Sequence, residues 1–414
     1  MRQRWMEAKA AVRAELHVGQ RVNRTPRGVA LLLVLMVLAI VSAFAAEFHY
    51  KSYIRLHAAS NMREDVAAYY HARSAMEIAR MVIKSQKLAD NFLRMAPAAQ
   101  RPHFELWTLA CEFANAFCTG DLKLMGKSFF NFKGLGGVGL QEGGMCRCRA
   151  FPEDGRVNIN RVDSDADRTR MFMELYRELN RHEPKDDSTP SGVVEFDEQL
   201  AEKVLNIIDY VDPDKSQSQL VDQRAVVSSA QSEGSSGSLS ENKNAKFDTL
   251  QELMMVEGIE PELFCKMQQE LTPYSTQKLN VNTASLNTLR SMLCDPSYTS
   301  NWQEVCYMPG TGQQILPLPS MTWALGCLDV CREVRKTLMS PGFARIDQFI
   351  KFFQSVPPSL GAAPALNGQT VRQNADVQSK IIRIETVGGS FGTYRGLTGV
   401  LDTTSGDYIY WREY

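Results

Sequence analysis

The chain has 414 residues, too many for one ordinary domain at about 150 residues each. Hydrophobic residues make up 44% and charged residues 22%, the balance of a folded chain and not of a disordered one. A formal net charge of -1 supplies no global basic field for nucleic acid.

The membrane information lies at the start. Residues 1–28 carry Arg2, Arg4, Lys9, Arg13, Arg21, Arg24 and Arg27 against only Glu7 and Glu15. An uncharged apolar run extends from Gly28 to Ala46, GVALLLVLMVLAIVSAFAA. About 19 residues rising ~1.5 Å each just reach across a ~30 Å hydrocarbon core. The cations before the run are expected to stay cytoplasmic and the remainder to lie outside. A secretory signal peptide competes with this reading, because Ala43, Ala45 and Ala46 offer a small-residue cleavage site, although the run exceeds the usual ~7–15-residue apolar core of a signal. The residues after Ala46 separate the two. No proline occurs between Pro26 and Pro97, and helix-favouring residues continue through SNMREDVAAYYHARSAMEIARMVIKSQKL. Val66, Tyr69, Tyr70, Ala72, Met76, Ala79, Val82 and Ile83 recur at three and four. The pattern predicts one helix from about Val29 to about Lys87, apolar on every side at first and along one stripe at its end.

Further along, Gly134 to Gly144 form a glycine-rich stretch, GLGGVGLQEGG. A dinucleotide-binding loop must come after a strand and open a helix, whereas here Phe129, Phe130 and Phe132 precede and MCRCRAF succeeds. The stretch reads as a surface loop between strands. MCRCRAF (Met145 to Phe151) reads as a strand, Asp154-Gly155 as a turn, and RVNIN (Arg156 to Asn160) as the returning strand of a hairpin. From Asp163 to about Ser355 the pattern is helical: DRTRMFMELYRELN, VEFDEQLAEKVLNIIDYV, FDTLQELMMV, PELFCKMQQEL, TASLNTLRSML, LGCLDVCREVRKTL and RIDQFIKFFQ. Asp, Thr or Pro opens several of these, as suits a cap or first turn. Ser228 to Asn244 reads as a polar linker. After Pro364 come KIIRIETVG, TYRGLTGVLDT and YIYWREY, read as strands with hairpin turns at Gly388-Gly389 and Ser405-Gly406-Asp407. The class is therefore α+β: a long helix, short strands, a large helical block and final strands.

The junction of RTPRG with VALLL resembles the start of type IV prepilins and pseudopilins. The resemblance implies that a prepilin peptidase cuts between Gly28 and Val29. Most of that superfamily has Glu at the fifth mature position, where this chain has Leu33. That departure resembles one branch, the K-type minor pseudopilins of type II secretion systems (general secretion pathway protein K). GRVNIN at 155–160, NIIDYVDPD at 206–214, FDTLQELMMVEGI at 247–259, LNVNTAS at 279–285, KIIRIET at 380–386 and the terminal YWREY are similar to that family in order. The resemblance implies a pilin-like fold, with a long N-terminal helix and antiparallel sheet, carrying an inserted all-α domain of SAM-like or helix-hairpin-helix-like type. Its segments are a cytoplasmic leader at 1–28, a transmembrane and filament-core helix at 29–46, pilin-like parts at 47–160 and 356–414, and the insert at 161–355. It further implies a non-enzymatic protein that caps the secretion pseudopilus and helps start its assembly, for export of folded periplasmic proteins. The implied partners are the H-, I- and J-type minor pseudopilins, the prepilin peptidase and the inner-membrane assembly platform, with no nucleic acid. The implied place is the bacterial inner membrane, single-pass, with a cytoplasmic N-terminus, a periplasmic bulk, and methylation after processing.

Asn280, Asn282, Thr283 and Ala284, just before a helix, resemble a helix-hairpin-helix element, which can hold a DNA phosphate on backbone N–H groups. This gives a rival reading, a membrane-anchored DNA-uptake receptor. The surrounding YSTQKLNVNTASLNTLR has only Lys278 and Arg290 as cations, too sparse for phosphate tracking, so asparagines bracing a sharp turn are the better expectation. Asp209, Asp212, Asp214 and Asp222 cluster in IDYVDPDKSQSQLVD, and hard oxygen ligands at such spacing can bind Ca²⁺. The family resemblance implies a calcium site in this region, with Asp212, Asp214 and Asp222 as its ligands here. The Gly- and acid-rich stretch usual in the family is missing, and Asp212 and Asp214 ending a helix is the alternative. Nine cysteines beyond a membrane are expected to oxidise, with at least one left over. Cys111/Cys118 and Cys294/Cys306 are candidate bridges, Cys146 and Cys148 share a strand face close enough to share a metal, and Cys327 and Cys331 sit at i,i+4. The connectivity stays open. No CxxC pair is present for zinc, and His49, His57, His71, His103 and His182 have no partner Ser or Cys motif, so no enzyme is expected.

Overall fold

A computed structural model describes residues 27–93, 105–119, 121–124, 127–131, 144–182, 196–214, 216–221, 225–232, 242–276, 278–306, 319–337 and 342–414. The leader before Arg27, the glycine-rich stretch before Gly144, Asp222 and the middle of the expected linker lie outside them. The chain divides into two units, Met1–Val66 and Ala67–Tyr414.

The described part of the first unit is helical and belongs to α1 (Arg27–Lys84, 58 residues). Every side chain from Val29 to Ala59 is exposed. The helix is long and apolar enough to cross a membrane, with a mean hydropathy of 3.0 in its most apolar stretch, none of which is buried. The first charged side chains after Arg27 form an i,i+4 pair, Glu47 and Lys51, at 2.6 Å.

In the second unit α1 breaks at Ser85, whose hydroxyl donates to the Met81 carbonyl. Such back-bonding bends helices. Next in the chain are α2 (Gln86–Leu93), α3 (Trp107–Thr119), β1 (Asp121–Leu124), β2 (Lys127–Asn131), β3 (Gly144–Pro152), β4 (Val157–Asn158), α4 (Asp165–His182) and α5 (Glu198–Val211). Then come β5 (Ser216–Val221), β6 (Ala225–Ser232), a 3-10 turn (Leu250–Met255), α6 (Pro261–Met267), β7 (Leu271–Thr272), β8 (Leu279–Asn280), α7 (Leu286–Leu293) and α8 (Trp302–Val305). The chain ends with α9 (Pro319–Thr337), α10 (Ile346–Gln354), α11 (Gly368–Asn374), β9 (Ala375–Asp376), β10 (Ile381–Ser390), β11 (Thr393–Asp402) and β12 (Asp407–Glu413).

The main sheet is antiparallel in the order β12-β11-β10-β3. The chain leaves it at Pro152 and returns at Ile381, so a largely helical region is inserted between neighbouring strands. This is the expected α+β arrangement of long helix, antiparallel sheet and helical insert. The sheet's inner face (Cys146, Cys148, Ile382, Ile384, Leu397, Leu401) packs on Ala72, Ala75, Met76, Ala79 and Ile83 of α1 and on α3. The insert holds two further cores, one around α4, α5 and α6 and one around α7, α9 and α10. Arg177 of α4 links them by donating to the carbonyls of Ser291 and Cys294 at the end of α7.

Four local expectations are corrected. RVNIN does not return along β3: β4 pairs in parallel with β7, because the register beside β3 is taken by β10. Gly388 and Gly389 lie inside β10, and the turn falls at Phe391-Gly392, where both residues have positive φ (45° and 92°), the geometry of a two-residue hairpin. The start of the expected linker, Ser228 to Ser232, is strand β6, paired with β5. Cys111 and Cys118 do not pair with each other. They are seven residues apart on α3, about 10 Å along one face, too far for a bridge. They pair instead with alternate cysteines of β3, as Cys111–Cys148 and Cys118–Cys146. Cys146 and Cys148 are thereby engaged as disulfides and not as a metal pair. Cys294–Cys306 forms as expected, and Cys265, Cys327 and Cys331 are free.

Gly388 marks the closest approach of helix and sheet: a Cβ there would collide with the Ala68 carbonyl and the Ala72 backbone nitrogen. Backbone cannot give way as a flexible side chain does. Gly388→Ala is expected to destabilise the folded chain by about 3 kcal/mol, read as a shift of the denaturation midpoint, whereas Gly392→Asn, in a positive-φ turn open to solvent, is expected to change it by under about 1 kcal/mol.

Candidate functional site

Gly28 and Val29, the expected processing junction, both lie at the start of α1, and Val29 is exposed. Leu33 is exposed among Leu31, Leu32, Val34 and Leu35. From Gly28 to Ala46 the helix presents no charged or polar side chain except Ser42. At Leu33 it therefore offers only a hydrocarbon surface.

The aspartate cluster is organised by an arginine that the sequence did not single out. Asp197 caps the start of α5 by accepting from the N–H groups of Gln199 and Leu200. At the other end Asp212 is the cap residue, its N–H donating to the Ile208 carbonyl, with its side chain fully buried. Arg168 of α4 lies against it: Nε is 3.5 Å from Asp212, one terminal nitrogen is 2.7 Å from Asp214, and the other is 3.1 Å from Asp165. Asp209 accepts from the Ser218 N–H at 2.8 Å, and Asp214 from the Ser216 N–H at 2.8 Å, which ties the start of β5 to the end of α5. Asp222 lies outside the described residues. Among the described residues no group of three or more His, Cys, Asp or Glu converges to hold a metal. A guanidinium stands between Asp212 and Asp214, in the space a calcium ion held by them would take. The helix-ending role of Asp212 is the one the geometry displays.

The helix-hairpin-helix-like asparagines turn inward. Asn282 donates to the carbonyls of Phe343 and Val377 and accepts from the Phe343 N–H. Asn280 donates to the Ser379 hydroxyl and accepts from the Asn282 N–H. They brace the turn before α7, whose first turn is capped by Ser285. Arg332 of α9 closes the same turn from below, donating to the Ala284 and Val281 carbonyls.

Two carboxylates organise the place where the insert joins the sheet. Asp154, read in the sequence only as a turn residue, accepts from the N–H groups of Thr276, Lys380 and Ile381 and from the Thr276 hydroxyl, at 2.6–2.9 Å. It holds the outgoing and returning chain together. Glu105 accepts from the Ser379 N–H at 2.9 Å and from the Trp107 indole at 2.6 Å. Burial pushes its carboxyl up to about 7, against these two hydrogen bonds, with the negative charges of Asp154 and Asp376 adding to the rise. Burial likewise raises Glu174 of α4 to about 7. A turn signal marked Asp154, but nothing local marked the distant partners of Glu105 and Arg168, which are Ser379 for the one and Asp212 and Asp214 for the other.

No protein-family model matches the chain, and no curated protein matches it. Among solved structures the chain is similar to the GspK-GspI-GspJ complex of the type 2 secretion system from enterotoxigenic Escherichia coli. The TM-score is 0.39 at 12% identity, covering 66% of this chain and 80% of that one.

These charges generate two expected outcomes. Removing Arg168 takes a guanidinium away from a buried carboxylate, so Arg168→Ala is expected to lower stability by about 1–3 kcal/mol, while a chelator leaves the melting midpoint of the wild-type chain unchanged; a chelator-induced drop would favour the calcium reading. For Glu105 the folded pKa lies above the ordinary value of 4.5, so the folded state holds the extra proton. Stability then falls as pH rises from about 4.5 to about 7. Glu105→Gln is expected to flatten that fall by roughly 2–3 kcal/mol in pH-dependent unfolding, leaving the part due to Glu174.

Proposed function

We propose that the chain is a K-type minor pseudopilin that caps the pseudopilus of a type II secretion system and helps start its assembly. One observation carries the reading. A helix that is apolar on every side from Val29 to Ala46 begins directly at a Pro-Arg-Gly junction, and its Leu33 stands where a pilin-like subunit would carry a carboxylate. The leader holds the precursor in the inner membrane until the peptidase cuts after Gly28, and the helix then serves as anchor and filament-core strip. A carboxylate inside such a core is stable only beside a cation, and the N-terminal amine of a neighbouring subunit is the available one. A chain with Leu33 offers no carboxylate to the amine of a subunit above it, while its own Val29 amine can still pair with a subunit below. One-sided pairing suits the top of a filament. The size of the insert between Pro152 and Ile381 supports the same place, since so large a block sits once at a tip more easily than it stacks along a fibre. The other minor pseudopilins of H, I and J type are the partners in this reading. The inward-turned Asn280 and Asn282 give the DNA-uptake reading no support.

N-terminal sequencing of the mature chain is expected to begin at Val29. Gly28→Leu is expected to leave the full-length precursor in the membrane, because the peptidase site must take a residue without a side chain; normal processing of that variant would end the reading. Engineered-cysteine cross-linking is expected to join the processed chain to minor partners and not to the filament shaft. Recovery at regular intervals along sheared filaments would rule out a tip position.

A further inference from the structure

The outer face of the main sheet is laid out in rows by the strand register. Arg149, Glu385, Thr398 and Arg412 stand side by side across all four strands. The next row is Arg147, Val387 and Gly396, completed by Tyr414, which exchanges both backbone hydrogen bonds with Gly396. The third is Met145, Gly389 and Tyr394. On the opposite side of the first row, Phe151, Arg383, Val400 and Tyr410 are roofed by the insert, with the Tyr274 ring 5.1 Å from that of Tyr410. Among the described residues, none from outside the sheet roofs the other three rows. Arg147, Arg149, Arg412, Met145, Tyr394 and Tyr414 are all exposed.

The composition of the open rows is set by the residues beneath them. Cys146 and Cys148 point inward and are bridged to α3, so the residues between and beside them, Arg147 and Arg149, must point outward. The two bridges pin this strand from behind, and the arginines are presented on a rigid support. Gly389 and Gly396 leave room for the rings of Tyr394 and Tyr414 to lie against the sheet. Among the described residues no acid or hydrogen-bond acceptor engages Arg147, Arg149 or Arg412. The acid of these rows, Glu385, lies 3.4 Å from Arg383 in the roofed row, which neutralises it. The edge of β3 itself is closed, because the Asn115 side chain occupies both the N–H and the carbonyl of Cys148.

Arginine and tyrosine on a rigid surface are the side chains that concentrate binding energy in protein interfaces. An unpaired guanidinium fits a carboxylate in a forked pair. With strands ~4.8 Å apart, Arg149 and Arg412 stand roughly 14 Å from each other, with Glu385 between them. A continuous polyphosphate would have to cross that carboxylate, and three cations are few for phosphate tracking. Two separated acids on a folded surface would meet the arginines and leave the tyrosines for apolar contact. We propose that this face is a docking surface for a carboxylate-bearing protein. Resting on the pseudopilin reading, the occupant is the acidic face of a neighbouring minor pseudopilin.

The test uses the full chain, tagged and solubilised in detergent, co-expressed with the H-, I- and J-type minor pseudopilins. Wild type is compared with the triple reversal Arg147→Glu, Arg149→Glu, Arg412→Glu, with the triple Lys variant, and with Tyr394→Ala, Tyr414→Ala. Recovery of one partner is expected to fall about tenfold or more in the reversal, to fall severalfold in the tyrosine variant, and to survive largely in the Lys variant, with wild-type recovery weakening as salt rises. An unchanged melting midpoint and disulfide content establish that the variants are folded. If processed wild type and folded triple reversal recover the partners equally, the face is not the interface and the pseudopilin reading still stands. If wild type is unprocessed at Gly28 and recovers none of the three, that reading falls and the occupant with it. Retention of a labelled DNA duplex by wild type and its loss in the reversal, with partner recovery unchanged, would overturn a protein occupant.

Discussion

Helix α1 can lie on the sheet only because almost nothing projects from either surface at their closest approach. On the helix side the contact is made by Ala68, Ala72, Ala75 and Ala79, all fully buried, and on the sheet side by Gly388. Small residues bring the two backbones close, and dispersion contacts accumulate over the whole length of the seam. That seam fixes which face of β10 looks inward. The register of β3 on β10 then decides which side of β3 carries Cys146 and Cys148, and α3 is bridged to the sheet at those positions. Helix, sheet and disulfides thus share one geometric origin.

Where the inserted region joins the sheet, one carboxylate gathers the outgoing and returning chain. Asp154 binds three backbone N–H groups and one hydroxyl, from the segment before β8 and from the start of β10. A single carboxylate thus clamps the point where the chain leaves the sheet to the point where it comes back. This lets an antiparallel sheet accept a large insertion between hydrogen-bonded neighbours without separating them. The isolated short pairs β4–β7 and β8–β9 extend the clamp, each joining an outgoing strand to a returning one in parallel.

Elements governed by local periodicity were legible in the sequence. The alternation in KIIRIETVG and the three-and-four spacing in DRTRMFMELYRELN each led to the element found. Features governed by distant partners were not. Gly388-Gly389 carries the usual turn signal, yet its glycines are required by α1 and by the Tyr394 ring, while the true turn contains Phe391, a residue that rarely takes positive φ. The cysteine pairing depended on the meeting of α3 with β3, which spacing along the chain does not encode. Asp212 could be read either as a calcium ligand, from the family resemblance, or as a helix end. Its partner, Arg168, lies 44 residues earlier (212 minus 168) on another helix, and only their packing makes the charge balance visible.

The chain meets the cost of charge in an apolar setting in three different ways. At Asp212 a guanidinium is placed beside the buried carboxylate. At Glu105 the pKa is raised to about 7, since the hydrogen bonds from Ser379 and Trp107 do not offset burial beside other carboxylates, so the proton is held well above the usual carboxylate range. Along α1 between Arg27 and Glu47 the charge is omitted altogether. The third solution differs in kind. A paired or protonated group is satisfied inside its own chain, whereas a helix without any charged group has nothing to satisfy and nothing to offer a charged partner. Leu33 therefore costs this chain nothing by itself, and in the proposed pseudopilin reading its consequence would lie in assembly, as a restriction on which side of the subunit a charged neighbour can occupy.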